Sequence, residues 1–160
     1  MSESGPQRPE AAADRVQEML ETVKEALGLD AEVRVEQDEE GIRGVLDGDD
    51  LGLFIGRHGQ TIDAVQHLAF KAANRDGGRG GVRVVVDAAG YRSRREQALH
   101  RQAEQAAADA IRGGRPVALD AMSATERKVV HEHLKDREDV ETYSEGVEPD
   151  RHLVVAPLDA

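Results

Sequence analysis

The apolar residues of this chain change period several times, and the order of those changes constrains the fold more tightly than any other feature. Val16, Met19, Leu20, Val23 and Leu27 recur at helical spacing, with Asp14, Glu18, Glu21 and Glu25 opposite and Gly28 where a C-cap belongs. This predicts an amphipathic helix over about 10–27. Val33 and Val35 then alternate with polar residues, Asp38-Glu39-Glu40-Gly41 breaks the pattern, and residues 42–46 resume it; the pair reads as a β-hairpin, closed by Asp47-Gly48-Asp49-Asp50. Residues 51–55 form a short apolar turn, and Gly56-Arg57-His58-Gly59 interrupts the pattern. Ile62, Val65, Leu68, Ala69 and Ala72 then mark a helix ending near Asn74. The glycine-rich run 76–81 is a loop and residues 82–86 a strand.

A second series follows. Residues 91–112 read as a long helix with a stripe of small residues, Leu99, Ala103, Ala106, Ala107, Ala110 and Ile111, ended by Gly113-Gly114. Residues 117–119 fit a short strand. Ser123-Ala124-Thr125-Glu126 has the form of a capping box and starts a helix running to about Lys135. Residues 140–144 and 152–156 are two further strands, parted by Glu145-Gly146-Val147-Glu148-Pro149-Asp150. The order α-β-β-α-α-β, then α-(β)-α-β-β, predicts an α+β chain of two small domains, residues 10–88 and 89–160, after a disordered tail at 1–9.

Charge is divided along the chain. The net charge of the 160 residues is −11, but residues 1–50 carry −10, residues 51–135 carry +5 and residues 136–160 carry −6. Since salt screens charges beyond roughly 8 Å, the local sign matters more than the total. The absence of Cys excludes disulfide frameworks, zinc knuckles and a thiol nucleophile. With two Phe, two Tyr and no Trp, the composition argues against a sheet that binds RNA by stacked aromatics. No apolar run reaches the roughly 18 residues of a membrane helix, and the polar first ten residues do not form a signal peptide. The expectation is a cytoplasmic protein without stable membrane insertion.

Gly56-Arg57-His58-Gly59 lies between a short helix and a longer one. Two glycines three apart let a ligand approach the backbone, and the amides that open the next helix carry partial positive charge. Such a loop can clamp a sugar-phosphate backbone, with Leu53, Phe54, Ile55 and Ile62 as an apolar floor for bases. A Gly-x-x-Gly alone equally fits a tight turn, and it is the surrounding order that gives it meaning. The stretch Gly52-Leu53-Phe54-Ile55-Gly56-Arg57-His58-Gly59-Gln60-Thr61-Ile62-Asp63-Ala64-Val65-Gln66 resembles the core of a type II KH domain, whose loop holds about four nucleotides.

Arg127 and His131 are four apart and share one helical face, with Lys135 a turn further and Lys128 beside them; Val130 and Leu134 border that face and anchor the helix. A guanidinium suits a phosphate, and His131 can donate to phosphate oxygens or stack on a base. His133 points elsewhere, so the two histidines do not make a metal site. Such pairs also occur on ordinary solvated helices. Here the series Met122-Ser123, Glu126-Arg127-Lys128, His131, Leu134, Val140, Thr142, Ser144, Gly146, Glu148-Pro149 and Arg151 resembles the R-3-H domain, a small binder of single-stranded nucleic acid. The resemblance implies Arg127 and His131 as the signature pair and Lys128 as an accessory contact.

Arg92, Arg94 and Arg95 fall in the first turns of the long helix, where the macrodipole disfavours cations. A cluster that violates local preference points to function, and these are candidate accessory contacts; the plain alternative is solvated or salt-bridged arginines, with Glu96 available as a partner. Arg79 among its glycines looks like one unit of an Arg-Gly-Gly tract, though a single copy fits a turn.

A type II KH domain followed by Gly90-Tyr91-Arg92, an Ala-rich helix and an R-3-H domain resembles the Jag (SpoIIIJ-associated) family over about residues 10–158. The resemblance implies a bacterial, post-transcriptional binder of single-stranded RNA, with single-stranded DNA as an alternative ligand. It also implies a small single-KH-domain partner and a link to cell elongation and division. Many members carry a further N-terminal domain not seen in this sequence. Ser123-Ala124-Thr125 stands where a Pro is common in the family. No cofactor, nucleophile elbow, P-loop or metal-ligand cluster is apparent, so the expected function is non-catalytic. The competing reading is a protein-interaction adaptor that pairs with another KH protein, nucleic acid being secondary.

Overall fold

The apolar stripe of the first helix becomes its packing face. In the computed structural model, which describes residues 9–77 and 80–158, α1 (Pro9–Ala26) buries Val16 and Leu20 completely. Each such residue contributes about 1.5–3 kcal/mol. The helix closes with paired bonds, Leu29 N–H to Lys24 O and Gly28 N–H to Glu25 O, both 3.0 Å, a Schellman motif with Gly28 at its turning point. The tail expected over 1–9 lies outside the described residues except for Pro9, which begins α1. Arg79 lies outside them as well.

The hairpin forms as its alternation requires: β1 (Ala31–Asp38) pairs antiparallel with β2 (Gly41–Gly48). Residues 51–55, the short apolar turn that precedes the glycine loop, form the short helix expected there, α2 (Gly52–Ile55), in which the amides of Phe54 and Ile55 both reach Leu51 O. A 3-10 turn at Arg57–Gly59 leads into α3 (Gln60–Ala73). β3 (Val84–Ala88) runs parallel to β2, which is therefore central in the order β1-β2-β3. The strand starts two residues later than its apolar pattern suggests. Asn74, at the end of α3, accepts from Val82 N–H (2.6 Å) and donates to Val82 O (3.0 Å), so that residue belongs to a side-chain clamp. The strand also runs on through a charged residue: Asp87 is buried, its Oδ1 accepting from Ala88 N–H (2.8 Å) and its Oδ2 facing Arg43 at 3.3 Å.

Tyr91 ends the first compact unit and Arg92 begins the second. α4 (Tyr91–Gly113) buries Leu99, Ala103, Ala106, Ala107 and Ala110. Ile111, expected in that stripe, is 44% exposed; it sits about 40° round from Ala107, outside the arc that the other five define. The second sheet has the order β4-β6-β5, antiparallel throughout, from β4 (Val117–Ala118), β5 (Val140–Glu145) and β6 (His152–Pro157). Central β6 buries four consecutive residues, Leu153 to Ala156. α5 (Ala124–Leu134) covers this core with Val130 and Leu134. Its N-cap is Ser123, whose Oγ accepts from Glu126 N–H at 3.2 Å. The reciprocal half of the capping box is replaced, since the Glu126 carboxylate accepts from Arg95. The architecture is thus α+β in two small units, an α-β-β-α-α-β module and an α-β-α-β-β module.

Candidate nucleic-acid interface

In the first unit the Gly-x-x-Gly loop has a shape that its glycines impose. Gly56 (φ 73°) and Gly59 (φ 75°) both lie in the left-handed region, and Gly59 N–H closes the loop on Gly56 O at 3.3 Å. A Cβ on Gly56 would collide with Oγ1 of Thr61, and one on Gly59 would come within 2.7 Å of the Tyr91 hydroxyl. No larger residue fits either place without moving a neighbour. His58 also has a positive φ, 55°, a strained conformation of the kind found at ligand-binding turns. Arg57 is exposed at the loop's crown and His58 is half-buried. The expected apolar floor is smaller than its sequence suggests: Phe54 and Ile62 are fully buried core residues, which leaves half-buried Ile55 and Leu53, 66% exposed, beside the loop.

In the second unit α5 carries Arg127, Lys128 and His131 on adjoining positions, and the three differ sharply in access. Lys128 and His131 are exposed. His131 Nδ1 lies 2.6 Å from Thr142 Oγ1 on β5, which fixes the ring's orientation. Arg127 lies beneath them with 9% of its side chain exposed: Nη1 donates to Met122 O (2.7 Å) and Nη2 to Glu148 Oε1 (2.8 Å). Lys135 follows the last helical residue and pairs with Glu132 at 2.7 Å, holding that carboxyl below its ordinary range. His133 turns to Glu104 (2.9 Å) and stacks on His100 with ring centres 4.2 Å apart, away from His131.

Of the α4 arginines, Arg94 is exposed and Arg92 half-buried. Arg95 donates to Glu126 Oε1 at 2.6 Å, which gives it a partner on α5. Glu126 is mostly buried and its Oε2 has no hydrogen bond among the described residues. Thr142 and Glu148 were present in the motif series but without roles. Alternation along β5 puts Thr142 on the Val140 side, the side α5 covers; nothing local in the sequence tied Glu148 to Arg127, 21 positions away.

Comparison with known proteins agrees with this division. Residues 13–86 match the family model described as the KhpA/KhpB KH domain, and residues 97–157 match the R-3-H domain. Over 151 residues the chain is 34% identical to the RNA-binding protein KhpB of Clostridium symbiosum, an alignment that covers 93% of this chain and 68% of that protein. The chain belongs to the KhpB (Jag) family. Other KhpB relatives are those of Lactiplantibacillus plantarum, 41% identical over 86% of this chain and 42% of the relative, and Bacillus subtilis, 32% identical over 86% and 66%. The KhpB relatives are thus longer, and this chain spans between two fifths and two thirds of their length. Residues 56–59 fall inside the matched KH segment and Arg127, Lys128 and His131 inside the matched R-3-H segment, while Arg92, Arg94 and Arg95 fall between the two. Among the described residues no helix is long and apolar enough to cross a membrane.

Proposed function

We propose that this KhpB-family chain is a non-catalytic binder of single-stranded RNA that grips the backbone at two places. One is the Gly56-Arg57-His58-Gly59 loop; the other is the α5 face of Arg127, Lys128 and His131, with Arg92, Arg94 and Arg95 as accessory cations. The observation that carries the reading is the loop: two glycines held at positive φ with no room for a Cβ, and an arginine displayed at the crown. Relatives named RNA-binding proteins support it. Two modest sites on one chain gain from effective concentration.

The test is binding of a labelled single-stranded RNA across a salt series. Arg57→Asp with His58→Asp should remove most of the affinity and flatten the slope of log K against log salt by about 0.7 for each phosphate that is no longer neutralised. Parent-like affinity in a folded variant would overturn the loop's role. Single-stranded DNA run in parallel decides whether the 2′-hydroxyl is read.

The proposal extends to a cytoplasmic, post-transcriptional role linked to cell elongation and division and to a small single-KH partner. The name of the matched KH model and the family resemblance support the partner; the link to elongation rests on the resemblance alone. The adaptor reading finds support in α1, whose Asp14, Glu18 and Glu25 remain exposed as an acidic face. Crosslinking in cells separates the two, because an adaptor would recover protein but no RNA above background.

A further inference from the structure

The signature arginine is the least accessible cation of the α5 face. A guanidinium offers five N–H donors in a fixed fork that fits a carboxylate and a phosphate equally well. In Arg127 one arm is committed to Met122 O, inside the protein, and the other meets the carboxylate of Glu148. That carboxylate lies toward solvent, since Glu148 keeps 59% of its side-chain surface exposed against 9% for Arg127. An anion reaching the guanidinium from outside meets Glu148 first.

We propose that Glu148 holds the place of a nucleic-acid phosphate, so that RNA binding at α5 exchanges one anion for another on Arg127. This rests on the reading of α5 as an RNA surface. Three observations make the exchange feasible. The Met122 bond keeps the guanidinium oriented whichever anion is present. The Glu148 carboxylate keeps most of its side-chain surface in water, so it can return to solvent as a phosphate takes its place, and the buried guanidinium is not left without an anion. The loop that carries Glu148 is closed without it: Arg151 Nη1 donates to Gly146 O (2.7 Å), Asp150 N–H to Val147 O (2.9 Å) and Met122 N–H to Arg151 O (3.2 Å). Releasing the side chain therefore does not require the loop to open.

The exchange has a signature in salt dependence. A phosphate neutralised by Arg127 sheds its counterion, but the freed Glu148 takes one up, so this pairing adds little net ion release. Glu148→Gln keeps an oxygen that accepts from Arg127 Nη2 and removes the charge. Binding of a labelled oligouridine long enough to engage both sites should tighten on the order of threefold at low salt, the scale of removing one exposed carboxylate charge. The slope of log K against log salt should also become steeper by about 0.7, the value for one more phosphate on a single strand. Thermal unfolding checks that the variant is folded, and Glu148→Ala gives the same two readouts if it is not. Weaker or unchanged binding with an unchanged slope overturns the exchange and makes Glu148 a structural partner only. Lys128→Ala with His131→Ala separates the failures. If that pair leaves parental binding intact, the α5 reading falls and takes the exchange with it. If the pair weakens binding while Glu148→Gln changes nothing, the exchange alone falls.

Discussion

Gly59 and Arg57 sit two residues apart and do opposite kinds of work. Gly59 is buried, has a positive φ and touches the Tyr91 hydroxyl where a Cβ would be. Gly59→Ala should cost about 1–3 kcal/mol in urea unfolding, from backbone strain and overpacking together, and should weaken RNA binding because the loop moves. Arg57 is exposed, so Arg57→Ala should leave unfolding within about 0.5 kcal/mol while reducing affinity. Equal effects of the two on stability would count against this division. The spacing of the glycines was visible in the residue string. Their need was not, because Thr61 is near but Tyr91 lies 32 positions away, and only the packed fold brings its ring to Gly59.

At the scale of elements, α5 is set by its ends. Ser123 caps it through Glu126 N–H alone, so Ser123→Ala should cost about 1 kcal/mol, read by denaturant unfolding. Beyond its other end, Arg137 bonds Asp139 (2.7 Å) and Glu104 on α4 (2.7 Å). The Arg137 hydrogen bond holds the Asp139 carboxyl below its ordinary range. A folded pKa lowered in this way contributes stability that is complete above the unfolded value of about 3.9, and that stability is lost as pH falls through the folded value. Asp139→Asn should therefore lower the thermal midpoint at neutral pH and shrink the fall in midpoint between about pH 5 and pH 2; an identical pH profile would refute the contribution. Helical periodicity foretold α1, α3 and α4, the capping box foretold α5, alternation foretold the β1–β2 hairpin, and residues 140–144 and 152–156 read as strands whose pairing with each other was not foreseen. The boundary that differed, at β3, was decided by the Asn74 side chain, which accepts from Val82 N–H and donates to Val82 O. Side-chain clamps leave no periodic trace.

For the whole molecule, the two candidate surfaces belong to separate units, each with its own hydrophobic cluster. Disabling one should leave the other measurable. Arg57→Asp/His58→Asp and Lys128→Ala/His131→Ala are each expected to weaken binding of a long RNA by an order of magnitude or more, as tethered sites require, and the combined variant should reduce it to background. A short RNA that reaches only one site should respond to one pair and not to the other; a response of both pairs to the shortest RNA would refute two sites. The sequence by itself determined the order of elements, the two-unit α+β division, the glycine loop and the positions of Arg127 and His131 on one helical face. These follow from local periodicity and backbone preference, which act over a few residues. Only the tertiary structure decided what each charged group faces: Arg95 on Glu126, His131 on Thr142, His133 on Glu104, and Arg127 on Met122 and Glu148. A charge's function depends on its desolvation and on the nearest opposite charge, and both are set by chain segments distant in sequence that meet only when the core closes.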